Sequence, residues 1–245
     1  MTDMKIDILK PNIFDDNVIS GVTKSNFDKF EKGFSIFPGK VLTQDEVKHN
    51  RVILAHNTNF EYETLKFQKQ VHGDVIRKVD IHSSNIAESD GLITNIPRLL
   101  LNVTIADCCG ILVYDSINKA IGAFHSGWKG TQLNIASAGI TAMTEEYATN
   151  PRDLKVFLSP CAGGDIYEVG EEVALLFPET VIKPFGDKYL LDVRKRINEQ
   201  LSELGVAPEN IEISDICTIK NPDYHSFRRD KDRSGRMSAF IGLNI

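Results

Sequence analysis

The chain has 245 residues, 42% of them hydrophobic and 25% charged, as in ordinary globular proteins. Its net charge of -6 argues against the broadly basic surface by which most proteins hold nucleic acid, though a local cationic cluster can still take a small anion. No stretch reaches the roughly twenty apolar residues of a membrane helix, and the first thirty residues mix Lys and Asp without a signal-peptide core, so the chain reads as soluble and cytoplasmic.

In chain order, Gly33 to Phe37 is an apolar strand candidate ending at the Pro38-Gly39 turn signal. Thr43 with Glu46 three residues on forms a capping-box pattern, predicting a helix over about Asp45 to His56. Glu61 to Gln70 and Asp74 to Val79 read as strands flanking His72-Gly73. Gly91 to Thr94, Leu99 to Ile105, Ile111 to Asp115 and Ala120 to Phe124 are apolar, rich in β-branched residues and bounded by turn formers. Their near-continuous apolar character predicts a sheet covered on both faces. A helix is expected from Thr131 to Tyr147, with Ala136, Ile140, Met143 and Tyr147 on one face. Leu154 to Leu158 is a further strand, and Glu171 to Phe177 a short helix. Asp192 caps a helix that stops at Gly205, and Ile211 to Ser214 and Arg236 to Leu243 close the chain as strands. There is no linker and no repeat, so the expectation is one layered α/β (α+β) domain over residues 1–245 with a mixed sheet.

Three residues offer metal-binding chemistry. His72 lies in Gln70-Val71-His72-Gly73, Cys108 in Ala106-Asp107-Cys108-Cys109-Gly110, and His125 in Phe124-His125-Ser126-Gly127-Trp128-Lys129-Gly130. Each lies at or beyond the end of an apolar run, where sites are usually assembled. Two imidazoles and a thiolate would leave one position of a tetrahedral zinc open for water or substrate. Singly, each is ordinary: a loop histidine is usually a hydrogen-bonding group, and a buried cysteine is usually structural. The same residues admit a metal-free reading, with Cys108 as nucleophile, His125 or His72 as its base and Asp107 orienting that base. Cys109 as a fourth ligand would instead close a structural site. The four cysteines, Cys108, Cys109, Cys161 and Cys217, read as thiols or ligands rather than a disulfide framework, and Cys108 and Cys109 should point to opposite sides of an extended backbone. Phe227-Arg228-Arg229-Asp230, with Arg233 and Arg236 following, is either a solvated basic loop or a guanidinium clamp for phosphate or carboxylate.

Taken in order, Gln70-Val71-His72-Gly73, Asp90-Gly91-Leu92-Ile93-Thr94, Ala106-Asp107-Cys108, His125-Ser126-Gly127-Trp128-Lys129-Gly130, Tyr167-Glu168-Val169-Gly170 and Ser226-Phe227-Arg228-Arg229-Asp230 resemble the motifs of the YfiH-like family, once labelled polyphenol oxidase or laccase-domain proteins. The resemblance runs from about Gly33 to the C-terminus and leaves 1–32 as a variable N-terminal segment. It implies stacked α/β/β/α layers with two mixed sheets and one zinc held by His72, Cys108 and His125. It also implies a purine nucleoside phosphorylase with adenosine deaminase activity, its small-molecule partners being a purine nucleoside and phosphate. On that reading Cys108, His125 and Asp107 serve the chemistry, Asp107 or Glu168 moves protons, and Arg228, Arg229 or Lys129 holds phosphate. A monomer is the favoured state. The alternatives are an amidase editing peptidoglycan precursors and a copper-dependent oxidase. The copper reading is poorly supplied with ligands, because six histidines include no His-x-His pair. Cys109-Gly110 replaces the family's usual Leu-Pro, and Gly33 to Gly39 stands where it carries Gly-Gly-Val-Ser.

Overall fold

Strand alternation divides the chain into two stacked sheets, as the computed structural model, which describes residues 4–245, lays out. The strands are β1 (Ile8–Leu9), β2 (Val18–Thr23), β3 (Leu65–Lys66), β4 (Ile76–Lys78), β5 (Gly91–Thr94), β6 (Leu100–Ile105), β7 (Cys109–Asp115) and β8 (Ala120–Ser126). They continue with β9 (Leu154–Leu158), β10 (Glu168–Val169), β11 (Ile182–Phe185), β12 (Lys188–Leu191), β13 (Ile211–Ile213) and β14 (Met237–Leu243). The α-helices are α1 (Gln44–Thr58), α2 (Trp128–Gln132), α3 (Ile135–Tyr147), α4 (Glu171–Ala174), α5 (Val193–Glu203) and α6 (Phe227–Asp230).

The first sheet runs β1-β2-β14-β6-β3 and the second β13-β9-β7-β8-β5-β4; both are mixed, with parallel pairs at β3/β6, β4/β5 and β9/β13. A small antiparallel sheet, β10-β12-β11, lies apart from them. Leu112 and Tyr114 of β7 and Ile121 and Ala123 of β8 pack with Leu101, Val103, Ala239 and Ile241 of the first sheet, making the inter-sheet core. The intervening Ile111, Val113 and Phe124 pack outward against Ile140 and Met143 of α3 and Ile197 and Leu201 of α5. On the far side of the first sheet, Leu100 and Phe240 meet Ile53 and Leu54 of α1. The result is the expected α/β/β/α stack in one domain, with every residue of β7 and β8 buried. Fully burying a Leu, Ile or Phe contributes about 1.5–3 kcal/mol, so these two strands anchor whatever hangs from their ends.

Local signals fared unevenly. The Thr43–Glu46 capping box is present in full, with the Thr43 hydroxyl accepting from the Glu46 N–H and the Glu46 carboxylate from the Thr43 N–H. The helix expected over Thr131 to Tyr147 is broken in two, because Asn134 turns left-handed (φ 62°) and caps α3 through its side chain. Gly33 to Phe37 forms no strand. It is pinned by single backbone bonds, from the Phe34 N–H to Ser25 and from the Ile36 N–H to Arg236, and Gly33 is left-handed at φ 76°. Of the strand expected over Glu61 to Gln70, Leu65–Lys66 forms a strand and Lys69 adds an isolated bridge to Glu88; Tyr62–Thr64 is a 3₁₀ turn. Val18–Thr23, ahead of the motif-bearing part, is paired along its length with β14. No helix among the described residues is long and apolar enough to cross a membrane.

Candidate metal centre

His72, Cys108 and His125 converge at one end of the sheet sandwich. One possible ligand atom from each lies within 4.8 Å of the others, and this is the single such His/Cys/Asp/Glu cluster among the described residues. The two imidazole rings meet edge to face, with centroids 4.9 Å apart and planes at 79°. His72 sits in the loop between β3 and β4, and Cys108 in the turn between β6 and β7. His125, expected just past the strand Ala120 to Phe124, lies within β8 and is paired across the ladder with Gly110. The β8 strand runs two residues beyond the apolar stretch because β7 continues beside it as far as Cys109. Cys109 itself packs into the helix-side core, so it is not a fourth ligand.

What holds the ligands is a residue whose role the motif reading left unassigned. Asp90, fully buried just before β5, contacts His125 Nδ1 through Oδ1 at 2.8 Å. The same carboxylate accepts three consecutive backbone N–H groups, those of Val71 (3.1 Å), His72 (3.0 Å) and Gly73 (2.7 Å). With Nδ1 committed to Asp90, His125 presents Nε2 to the cluster, the carboxylate–histidine arrangement that orients metal ligands. The three N–H bonds also fix His72 at φ 59°, a left-handed conformation that costs about 1–2 kcal/mol for a side chain other than glycine. Burial pushes the Asp90 carboxyl up, but the bonds from His125, Gly73 and Val71 hold it below its ordinary range.

The charges suit a cation. Burial raises the Cys108 thiol, yet the charge and hydrogen bond of His125, together with His72, bring it down to about 6. His125 is pulled down by burial and lifted further by Cys108 and Asp90, to about 9. Without metal the pair is therefore thiolate and imidazolium, and a soft divalent ion can take the place of the imidazolium proton. Tetrahedral bonds of about 2.0–2.3 Å place ligands roughly 3.5 Å apart, so small side-chain rotations bring this donor set onto zinc. Space is reserved as well: a Cβ on Gly127 would stand 2.8 Å from Cys108 Sγ. The backbone of Gly127 is ordinary (φ -81°), so Gly127→Ala is expected to fold normally and weaken metal binding by about tenfold, read by competition with a chromophoric chelator.

The cluster opens into a cavity of about 590 Å³. Its walls include Phe37, Gln70, Trp128, Tyr167, Arg228 and Arg236. Asp107 also lines it, but does not orient His125. Its carboxylate accepts from the Thr218 hydroxyl (2.7 Å) and the Arg228 N–H (2.6 Å), tying the left-handed turn at Asp107 (φ 86°) to α6. The proposed phosphate contacts separate. Arg228 faces the cavity, with its guanidinium 4.9 Å from the Tyr167 ring centre. Arg229 turns away and donates to the carbonyls of Thr218, Ile219, Asn221 and Tyr224 and to Asp230. Lys129 is not among the lining residues, and Glu168 is paired with Lys188. Arg236, only a trailing member of the cluster in sequence, does line the cavity.

The chain is similar to known proteins over most of its length. The profile of the family described as multi-copper polyphenol oxidoreductase laccase matches residues 18–244. The purine nucleoside phosphorylase YlmD of Bacillus subtilis is 29% identical over 92% of this chain and 88% of its own length. The purine nucleoside phosphorylase YfiH of Escherichia coli is 31% identical over 81% of this chain and 82% of its own. The crystal structure of YlmD from Geobacillus stearothermophilus superposes with a TM-score of 0.88 at 26% identity, over 96% of this chain and 94% of that one.

Proposed function

Because the chain belongs to the YfiH-like family, described as multi-copper polyphenol oxidoreductase laccase, we propose that it is a zinc-dependent purine nucleoside phosphorylase that also deaminates adenosine. The observation that carries this reading is the His72–Cys108–His125 cluster, backed by Asp90 and opening on a cavity with aromatic and arginine walls. Relatives named as purine nucleoside phosphorylases supply the substrate class.

In phosphorolysis a phosphate oxygen bonds to ribose C1′ as the C1′–N9 bond breaks, and its electron pair leaves with the purine, which then takes a proton. The residues here match those needs. Arg228, on the cavity wall, would hold the incoming anion and offset charge in the transition state. Phe37, Trp128 and Phe227 offer apolar surface on which a purine can stack. Asp107 fixes the turn carrying Cys108 and the start of α6 together, so the cluster and the arginine wall keep their spacing. A divalent ion held by the cluster would supply Lewis acidity and lower the pKa of nearby water toward neutrality, which is what deamination requires.

The test joins elemental analysis to turnover. Purified protein with one zinc should convert inosine and phosphate to hypoxanthine and ribose 1-phosphate, and adenosine to inosine. His72→Ala should lose at least about a hundredfold of both activities. Stoichiometric copper with phenol oxidation, or activity that survives chelation and is abolished by thiol alkylation, would count against it.

A further inference from the structure

Two arginines on the cavity wall, Arg228 and Arg236, are in no ion pair among the described residues, whereas Arg196 and Arg229 both are. The Arg228 backbone N–H serves Asp107, while its guanidinium stands beside the Tyr167 ring and reaches only the neutral Tyr167 side chain. Arg236 is anchored by one nitrogen, Nη1, which donates to the carbonyls of Ser234 (3.0 Å) and Gly235 (2.9 Å). Its carbon centre stands 5.2 Å from the Phe227 ring centre, and among the described residues no hydrogen bond uses its Nε or Nη2. Asp107, the one carboxylate lining the cavity among the described residues, has each oxygen already occupied by Thr218 or the Arg228 backbone. The one lining lysine, Lys69, is paired with Glu88 at 2.7 Å.

Two partly buried guanidinia set beside aromatic rings and held in no ion pair, with only the more distant charges of Cys108 and Asp107 to offset Arg236, are costly unless an anion completes them. Their planar forks suit the oxygens of a tetrahedral oxyanion, which two arginines can grip from two directions. We propose that Arg228 and Arg236 form a two-guanidinium clamp for a phosphoryl-type dianion in the wall of the metal cavity, and that it seats the attacking phosphate. The clamp rests on the unpaired guanidinia alone; its assignment to attacking phosphate rests on the phosphorylase reading. It replaces Arg229 and Lys129, whose positions leave them no part in it.

Calorimetric titration of the metal-loaded protein with inorganic phosphate, and separately with inosine 5′-monophosphate, tests both parts. Arg228→Met removes a guanidinium whose protein contact is the Tyr167 side chain and leaves the backbone bond to Asp107 in place, and Arg236→Met complements it. Each should weaken phosphate binding at least tenfold with metal content unchanged. In turnover, KM for phosphate should rise in both while KM for inosine holds. Wild-type phosphate affinity in both variants, or no binding of either probe to the parent protein at tens of millimolar, would overturn the clamp. Tighter binding of the nucleotide than of phosphate, lost in both variants, would overturn its assignment to the attacking phosphate. Phosphate binding that follows the expected losses while no nucleoside is cleaved would leave the clamp standing and remove the phosphorylase.

Discussion

Asp90→Asn is expected to cost metal affinity 10- to 100-fold and folding stability about 3–5 kcal/mol, although residue 90 touches neither metal nor substrate. The carboxylate is an acceptor at both oxygens, each serving two partners: Oδ1 takes His72 N–H and His125 Nδ1, and Oδ2 takes Val71 N–H and Gly73 N–H. An amide has one acceptor oxygen. However it is turned, its NH₂ faces two groups that need an acceptor, at a position where the side chain itself and His125 are buried. Each buried donor left unpaired costs about 1–3 kcal/mol. The left-handed backbone at His72 then loses its support, and His125 loses the bond that selects its tautomer, so two of three ligands are released by one change. Chelator competition reads the affinity, and urea unfolding of the metal-free protein reads the stability. Parent-like affinity in a folded Asp90→Asn protein would refute the assignment of Asp90 as the organiser of the site.

The sequence carried much of this arrangement, in proportion to how local the cause was. Strands β5, β7, β8 and β9 were legible because burial on both faces leaves an unbroken apolar run. The Thr43–Glu46 box was legible because its two bonds span three residues. Strands β1, β10 and β12 were not, being short and defined by partners far along the chain. The α2–α3 break was hidden because asparagine adopts a left-handed turn without interrupting the helical pattern of apolar residues. At the site, the residue types singled out His72, Cys108 and His125. Asp90 reads in sequence as a turn acid ahead of a strand, and its function appears only when β5 lies beside β8 and brings it level with His125. Arg228, Arg229 and Arg236 are chemically alike in one segment. Side-chain direction alone separates them: α6 sends Arg228 toward Tyr167 and Arg229 toward the carbonyls of the preceding loop.

Acidification should loosen the same arginine segment from behind, through His225. Its ring is 1% exposed, with Nε2 3.0 Å from the Phe34 carbonyl and Nδ1 without a partner. The edge of Phe27 and the backbone at Gly33 and Gly235 close around it; a Cβ at either glycine would come within 2.7 Å of the ring. Burial lowers its pKa to about 4, offset in part by the Phe34 carbonyl and reinforced by the charge of Arg236. A neutral ring therefore donates through Nε2. With an unfolded value near 6.5, the unfolded chain binds more protons than the native one between these limits. Stability from this group is thus complete above pH 6.5 and is lost as pH falls toward 4, about 3 kcal/mol in all. His225 immediately precedes Ser226, which caps α6 and so sets Arg228 in place. His225→Gln keeps a neutral donor for Phe34 and cannot titrate. Urea unfolding from pH 7 to pH 4 should therefore show the parent losing about 3 kcal/mol more than the variant, while the carboxylates and the Cys108–His125 pair, common to both, cancel in the difference. A parent–variant gap that stays constant over this range would show that His225 is not what acid unlocks.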